Sequence, residues 1–467
     1  MLSFLITVLL LFVGSIVSHP LENFSSQDIS KPGPVPNLTS APVDTLTSEH
    51  VNKWRRDAIS KLWDERNEMK YTPIIYFDHL KDVTIVFKNE SASATSSLKH
   101  RFAWALVMWA VLRGHIGKST TVYEASSGST AFSEAYMCKL IGVKFATFVP
   151  EATDKVKIEH IENMGGNVVK VKDRMQERAK EAAAKDKDGF FIDQFGNADY
   201  AEDYHLTDNN GIESINVFYE TLTQLQTKPD GDIHGINVDY FVHTAGTGGT
   251  LSSVGKYIKR YKVPTQVVLA DTEFSLYYDF VLKNRFVGAN QSAESQLVPP
   301  GIAGTASVAI VPYAVIGKTT SLIPSVIDRV VKVPDLASTA AAHVLLDRYK
   351  INAGPSTGVS FLTCLHLIAT HRNKAENLHL KDKPLVLATL LSDPGTNYLA
   401  SYYNITWIEQ KFTPHGGLKT FECWKSVVVE YLEAQPKANS TVLESPLVKG
   451  ARECPAPLAA GKHLFMV

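Results

Sequence analysis

Four times along this chain a short turn of glycine, serine and threonine leads into a helix-like run. At three of them an apolar, strand-like run comes first. Strand-like and helical runs alternating in this way require α/β layering, with helices packed over sheet. The first turn is Glu90-Ser91-Ala92-Ser93-Ala94-Thr95-Ser96-Ser97-Leu98-Lys99-His100-Arg101, between Val83–Phe87 and the helix-like Phe102–Leu112. A turn of small hydroxyl residues at a helix N-terminus holds an anion with backbone N–H groups and the positive end of the helix dipole. Lys99 at that junction is expected to be partly desolvated and next to Arg101. Both effects favour the neutral amine, the form that attacks a carbonyl to make a Schiff base. On this segment alone, a solvated lysine at a helix start serves equally well.

The second turn, Tyr123-Glu124-Ala125-Ser126-Ser127-Gly128-Ser129-Thr130-Ala131, opens the run Phe132–Ile141 and suits the grip of a carboxylate by N–H and O–H donors. The third, Val242-His243-Thr244-Ala245-Gly246-Thr247-Gly248-Gly249-Thr250, lies between Ile236–Phe241 and Leu251–Arg260. Its glycines let backbone approach a phosphate closely. It has neither the G-x-G-x-x-G spacing of dinucleotide sites nor the lysine of a P-loop. The fourth is Gly354-Pro355-Ser356-Thr357-Gly358-Val359. Each turn alone is also explained as a capped helix start.

In this order the four turns resemble those of the cysteine synthase / cystathionine β-synthase family of fold type II pyridoxal-phosphate enzymes. The family's N-P-x-G-S-x-K-D-R segment falls on Ser93–Arg101, with its upstream glutamate at Glu90. T-S-G-N-T-G falls on Ser126–Ala131, G-T-G-G-T is intact at Gly246–Thr250, and G-x-S-x-G matches Gly354–Gly358. Thr72-Pro73, Phe148-Val149-Pro150-Glu151, Gly165-Gly166-Asn167, Gln194-Phe195-Gly196-Asn197 and Leu391–Leu399 add anchors, so that the resemblance runs from about Glu49 to Tyr403. It implies a tryptophan synthase β-like fold of two three-layer α/β domains with pyridoxal 5'-phosphate between them.

Carried over, the resemblance makes Lys99 the catalytic lysine that bears the cofactor. Gly246, Thr247, Gly248, Gly249 and Thr250 would hold its phosphate, Ser356 would face the pyridine nitrogen, and Ser129 its ring hydroxyl. Ser127, Gly128, Thr130 and Gln194 would bind the substrate carboxylate. A neutral hydroxyl at the ring nitrogen makes a milder electron sink than an aspartate, which favours chemistry at Cβ. The implied reaction is β-replacement, through an aminoacrylate, on a serine- or cysteine-type amino acid with a thiol or sulfide as nucleophile, in a chain that could pair as a homodimer. A serine/threonine dehydratase-type lyase and a secreted, non-catalytic binding protein are the alternatives. Three positions depart from the family pattern: His100 replaces aspartate, Ser93-Ala94 replaces Asn-Pro, and Ser129 replaces asparagine.

A net charge of −1 gives no basic footprint for nucleic acid, and no metal-ligand spacing appears among the histidines and cysteines. Met1–Ser18 contains the apolar run Leu2–Val17 and reads as a secretory signal peptide, followed by a Pro-rich linker over 19–48. The catalytic region is expected over 49–412, with a large part at about 49–105 and 220–412 and a smaller moving part at about 106–219. A tail follows over 413–467. Export would make the sequons at Asn23, Asn37, Asn89, Asn290, Asn404 and Asn439 available for glycosylation. Cys138 and Cys364 fall in apolar runs and read as packed thiols, whereas Cys423 and Cys454 could pair in an oxidising compartment.

Overall fold

Two sheets organise the chain. The computed structural model describes residues 46–198, 216–226, 237–286, 300–305, 320–373, 384–434 and 444–455. The signal peptide, nearly all of the linker and the sequons at Asn23, Asn37, Asn290 and Asn439 lie outside them. The strands are β1 Ile74–Leu80, β2 Val83–Asn89, β3 Thr121–Glu124, β4 Lys144–Pro150, β5 Gly166–Val171, β6 Gly189–Phe191, β7 Tyr240–His243, β8 Gln266–Thr272, β9 Arg329–Val333 and β10 Leu385–Leu391. One sheet has the order β1-β2-β10-β7-β8-β9 and the other β5-β4-β3-β6. Every pairing is parallel except β1 with β2. Strands such as Leu385–Leu391 are buried at every position because helices cover both faces.

The helices described are α1 Leu46–Met69, α2 Lys99–Leu112, α3 Ser129–Ile141, α4 Lys155–Asn163, α5 Met175–Lys185, α6 Val217–Gln226, α7 Gly249–Arg260, α8 Tyr277–Lys283, α9 Asp335–Tyr349, α10 Pro355–Arg372, α11 Ile405–Lys411, α12 Gly417–Glu433 and α13 Pro446–Glu453. Helices α9, α10, α12 and α13 bury one face of the six-stranded sheet, and α6, α7 and α8 bury the other. Helix α2 packs into a third core with α3 and the four-stranded sheet. It is buried from His100 to Met108 and, from Phe102 on, apolar on every side, as a central helix requires. Among the described residues no helix is long and apolar enough to cross a membrane, and no cluster could hold a metal ion.

The stretch from about Thr413, which the sequence marks only as a tail beyond the matched motifs, packs onto the main core in its described part. Phe421, Trp424, Val427, Val428, Tyr431 and Leu432 form the inner stripe of α12 and join the main core. A methyl on Gly450 of α13 would collide with the Trp424 ring, so only glycine permits this approach. Cys423 and Cys454 form a disulfide that ties α12 to the end of α13. Cys138 and Cys364 are buried thiols.

Candidate active site

Three of the turns that carry the candidate residues leave the carboxyl ends of parallel strands, the edge at which ligands bind in open α/β sheets, while the turn with Ser356 follows α9. The last pair in the β2–β10 register is Asn89 with Leu391. The Lys99 turn and the Ser392–Asp393 turn therefore emerge side by side, joined by Leu98 N donating to Ser392 O at 2.7 Å. Within the Lys99 turn, Ser93 Oγ donates to Ser97 O (2.9 Å) and accepts from Ser97 N (3.1 Å), which fixes the approach to α2. Gly354 N donates to Asp393 O at 2.9 Å, bringing the start of α10, and with it buried Ser356, to the same place.

Strand β7 ends at His243, and the glycine-rich turn follows. Gly248 has φ +90°, and a Cβ there would fall 2.3 Å from Leu322 N, so no other residue fits. A Cβ on Gly246 would sit 3.0 Å from Gly304 O, and one on Gly304 would sit 3.6 Å from Ser356 Oγ. The segment Gly301–Thr305 thus closes over the turn and links it to Ser356. Thr247 and Thr250 are buried, and the N-cap Gly248 has no side chain to bond the α7 N-terminus; apart from a long bond from Gly249 N to Thr247 Oγ1 (3.4 Å), its first N–H groups are suited to an anion. Gly248→Ala is expected to weaken phosphate-dependent cofactor binding about tenfold or more, because strain of this kind costs about 1–3 kcal/mol; a titration of the cofactor-stripped chain measures it.

The turn after β3 is built on Glu124 and Gln194. Buried Glu124, at the end of β3, accepts from Ala125 N (2.6 Å) and from Gln194 N (2.9 Å), while Gln194 Nε2 donates to Ala125 O at 3.4 Å. Ser321 joins this side to the glycine turn: its N donates to Thr247 O (3.0 Å) and its Oγ to Phe195 O (2.7 Å). On the opposite side Thr95 Oγ1 and Ser133 Oγ share a hydrogen bond of 2.7 Å, tying the Lys99 turn to α3. Ser127 and Ser129 are half-buried, Gly128 is exposed and Thr130 is buried, so this turn forms a rim with one residue inside.

Arg101, read from sequence as a neighbour of the Lys99 amine, makes its described hydrogen bonds elsewhere. Arg101 is turned into a buried ion network, where Nε and Nη2 form a bidentate pair with Glu90 (both 2.9 Å) and Nη1 reaches Glu220 (2.8 Å). Lys88 (2.6 Å) and Arg66 (3.2 Å) also pair with Glu220, and Thr72 Oγ1 donates to Glu90 at 2.7 Å. His100, where the family pattern has aspartate, pairs with Glu65 of α1 at 2.9 Å. This network anchors the entry to α2, and with it Lys99.

Lys99 is half-buried, its Nζ 5.2 Å from the centre of the Phe102 ring, and its charge acts on Glu134, His243 and Asp393. Burial, reinforced by Lys99, lowers His243 to about 3, so its imidazole is neutral. Burial raises Asp393 to about 6, opposed by the Tyr398 hydroxyl and by Lys99. Burial raises Glu124 to about 7. Sequence reasoning assigned no role to Glu134, His243, Asp393 or Gly304. His243 and Asp393 stand inside or beside quoted motifs, and their position at strand ends was the signal available.

The donors converge on one chemistry: an amine for an aldehyde, a glycine cradle at a helix N-terminus for a phosphate, and a neutral hydroxyl at Ser356 for a ring nitrogen. Pyridoxal phosphate fits this set. A family model described as pyridoxal-phosphate dependent enzyme matches residues 66–381. The chain is 41% identical over 430 residues, 91% of its length and 95% of the other, to a protein of Caenorhabditis elegans described as pyridoxal-phosphate dependent. It is 34% identical to an L-cysteine desulfhydrase of Mycobacterium tuberculosis, over 72% of this chain and 83% of that one. In fold it is similar to the crystal structure of an O-ureido-L-serine synthase, with a TM-score of 0.56, 20% identity and coverage of 74% of this chain and 93% of that one.

Proposed function

Because the chain belongs to the family of pyridoxal-phosphate dependent enzymes, and its cofactor is therefore pyridoxal 5'-phosphate, we propose that it is an enzyme of sulfur amino-acid metabolism. In this reading it exchanges the group on Cβ of a serine- or cysteine-type amino acid. The observation that carries the reading is the set of hydrogen bonds that joins the motif-bearing turns: the Lys99 turn to Ser392 and, through Thr95–Ser133, to α3, Gly354 to Asp393, and the glycine turn through Ser321 to Phe195.

Bound pyridoxal phosphate supplies the electron sink that acidifies Cα–H and lets a group leave Cβ. The protein's part is orientation and proton handling. Gly246, Thr247, Gly248, Gly249, Thr250 and the α7 N-terminus hold the phosphate. Ser356 would meet the ring nitrogen as a neutral partner, and Ser129 would meet the ring oxygen. Ser127, Gly128, Thr130 and Gln194 grip the substrate carboxylate. Lys99, once released, takes the proton from Cα as general base. His243, neutral above pH of about 3, adds no second positive charge beside the amine.

Elimination is the second reading, favoured by the 34% identity to an L-cysteine desulfhydrase. One experiment separates the two. With cysteine alone, elimination yields sulfide, pyruvate and ammonia. Replacement also yields sulfide, because a second cysteine can serve as the thiol, but with a thioether (lanthionine, or the mixed thioether when another thiol is added) in place of pyruvate and ammonia. No sulfide under either condition, and no thiol incorporation from O-acetylserine, would reject both.

We also assign the chain to an oxidising compartment, on the support of the Cys423–Cys454 disulfide and the exposed sequon residue Asn404, whose side-chain oxygen caps α11. Reduction of this 31-residue loop is expected to destabilise the fold by about 3–4 kcal/mol in a chain-entropy account. Matched melts with and without reductant test this, and unchanged melts would count against a structural disulfide.

A further inference from the structure

Glu134 is the group the account so far leaves unused. It lies on α3 four residues after Thr130, hence on the same inward face, and next to Ser133, whose hydroxyl bonds Thr95 in the Lys99 turn. It is 0% exposed, and neither carboxylate oxygen has a hydrogen-bond partner among the described residues. A buried carboxyl without partners is costly unless a charge compensates it or it is protonated. The charged groups around it are few. Glu124 faces it from β3, Lys99 from α2, and Cys138 lies on its own helix. Tyr136 is engaged with Glu65, and His160 packs on the Phe132 ring. Around Lys99, Asp393 Oδ2 is bonded to the Tyr398 hydroxyl while its Oδ1 has no hydrogen-bond partner among the described residues, and His243 is neutral.

We propose that Glu134 is the proton partner of Lys99: its carboxylate holds the lysine ammonium when the lysine is released, and takes the ammonium proton when the amine reacts. The transfer balances in itself. A Lys99 Nζ–H bond breaks, a Glu134 Oε–H bond forms, and an ammonium–carboxylate pair becomes an amine and a neutral acid. Burial and the nearby Glu124 push the Glu134 carboxyl well above its ordinary range while Lys99 pulls it down. Glu134 acts through Lys99 and is a positioning residue. The inference rests on the reading of Lys99 as the attachment residue.

The test uses the full chain stripped of cofactor. Pyridoxal phosphate is added across pH to wild type, Glu134→Gln and Glu134→Asp, and attachment is followed by visible absorbance and borohydride trapping. Without the carboxylate the ammonium loses its partner and deprotonates more easily. The pH of half-maximal attachment is expected to fall by one unit or more in Glu134→Gln and by less in Glu134→Asp. In wild type, infrared difference spectra on cofactor addition should also gain a protonated-carboxyl band that Glu134→Gln lacks. This readout stands on the wild-type chain even where the variant is unstable. An unshifted midpoint in Glu134→Gln, or no carboxyl band in wild type, would overturn the proposal. Failure of wild-type Lys99 to trap any cofactor would overturn both it and the reading beneath it.

Discussion

Lys99→Ala is expected to yield a folded chain that takes up no covalent cofactor and releases sulfide from cysteine only at background rate. The reason is local. Lys99 is the first residue of α2, and its side chain is half-buried among groups of the site, whereas the hydrogen bonds that hold the turn come from Ser93, Ser97 and Leu98. The substitution removes the amine and leaves the scaffold. Alanine also favours the helix. Loss of nucleophile and base together should cost at least three orders of magnitude in turnover, on the scale of general-base catalysis combined with a lost covalent step. A pure thermal melt within a few degrees of wild type would show that the loss is chemical. Retained turnover with normal cofactor spectra would place the attachment residue elsewhere.

The largest effect on stability is expected at Glu220. Its carboxylate is fully buried and meets Arg101, Lys88 and Arg66, and it also accepts Thr72 N at 2.8 Å. Burial alone would raise its pKa, but Arg101 and Lys88 outweigh burial and hold it at about 2, below the ordinary 4.5. Glu220→Gln removes the central charge and strands three cations around Glu90, so a loss of about 3–5 kcal/mol is expected. The sign with pH follows from the depressed value. The stabilisation is fully present above pH 4.5 and is lost as pH falls toward 2, amounting to about 3 kcal/mol for a shift of this size. Wild type should therefore lose its advantage over Glu220→Gln as melts are moved from neutral pH into that window. Equal stability at pH 7 would show that the network is dispensable.

This network also marks where the sequence stops being readable. Lys88, Glu90, Arg101 and Glu220 meet across separations of up to 132 residues between Lys88 and Glu220. Nothing local in the chain distinguishes such a carboxylate from a solvated one on an amphipathic helix. The turns were legible because their chemistry is local. Gly248 needs a positive φ, Gly354-Pro355 opens a helix, and the apolar run after Lys99 has no polar face because α2 is central. Glu134 was hidden by its surroundings, one acid in an otherwise small and apolar helix, and only the approach of α3 to the Lys99 turn gives it meaning. The α12 stripe was present as an i, i+3, i+4 pattern from Phe421 to Leu432. Its partner, the face of α9, lies some 80 residues away, and the resemblance to known motifs had ended before it. Arg101 stands two residues from Lys99, and on a helix that spacing sends side chains to nearly opposite faces, about 200° apart.

The most direct test is to reduce the yellow, cofactor-bearing chain with borohydride, digest it and locate the pyridoxyl group by mass spectrometry. The account predicts a single modified peptide carrying the group on Lys99, with Lys88 unmodified because its amine is bound to Glu220 and to Thr72 O at 2.6 Å each. A pyridoxyl group on another lysine, or a chain that remains colourless and unmodified with excess cofactor, would contradict it.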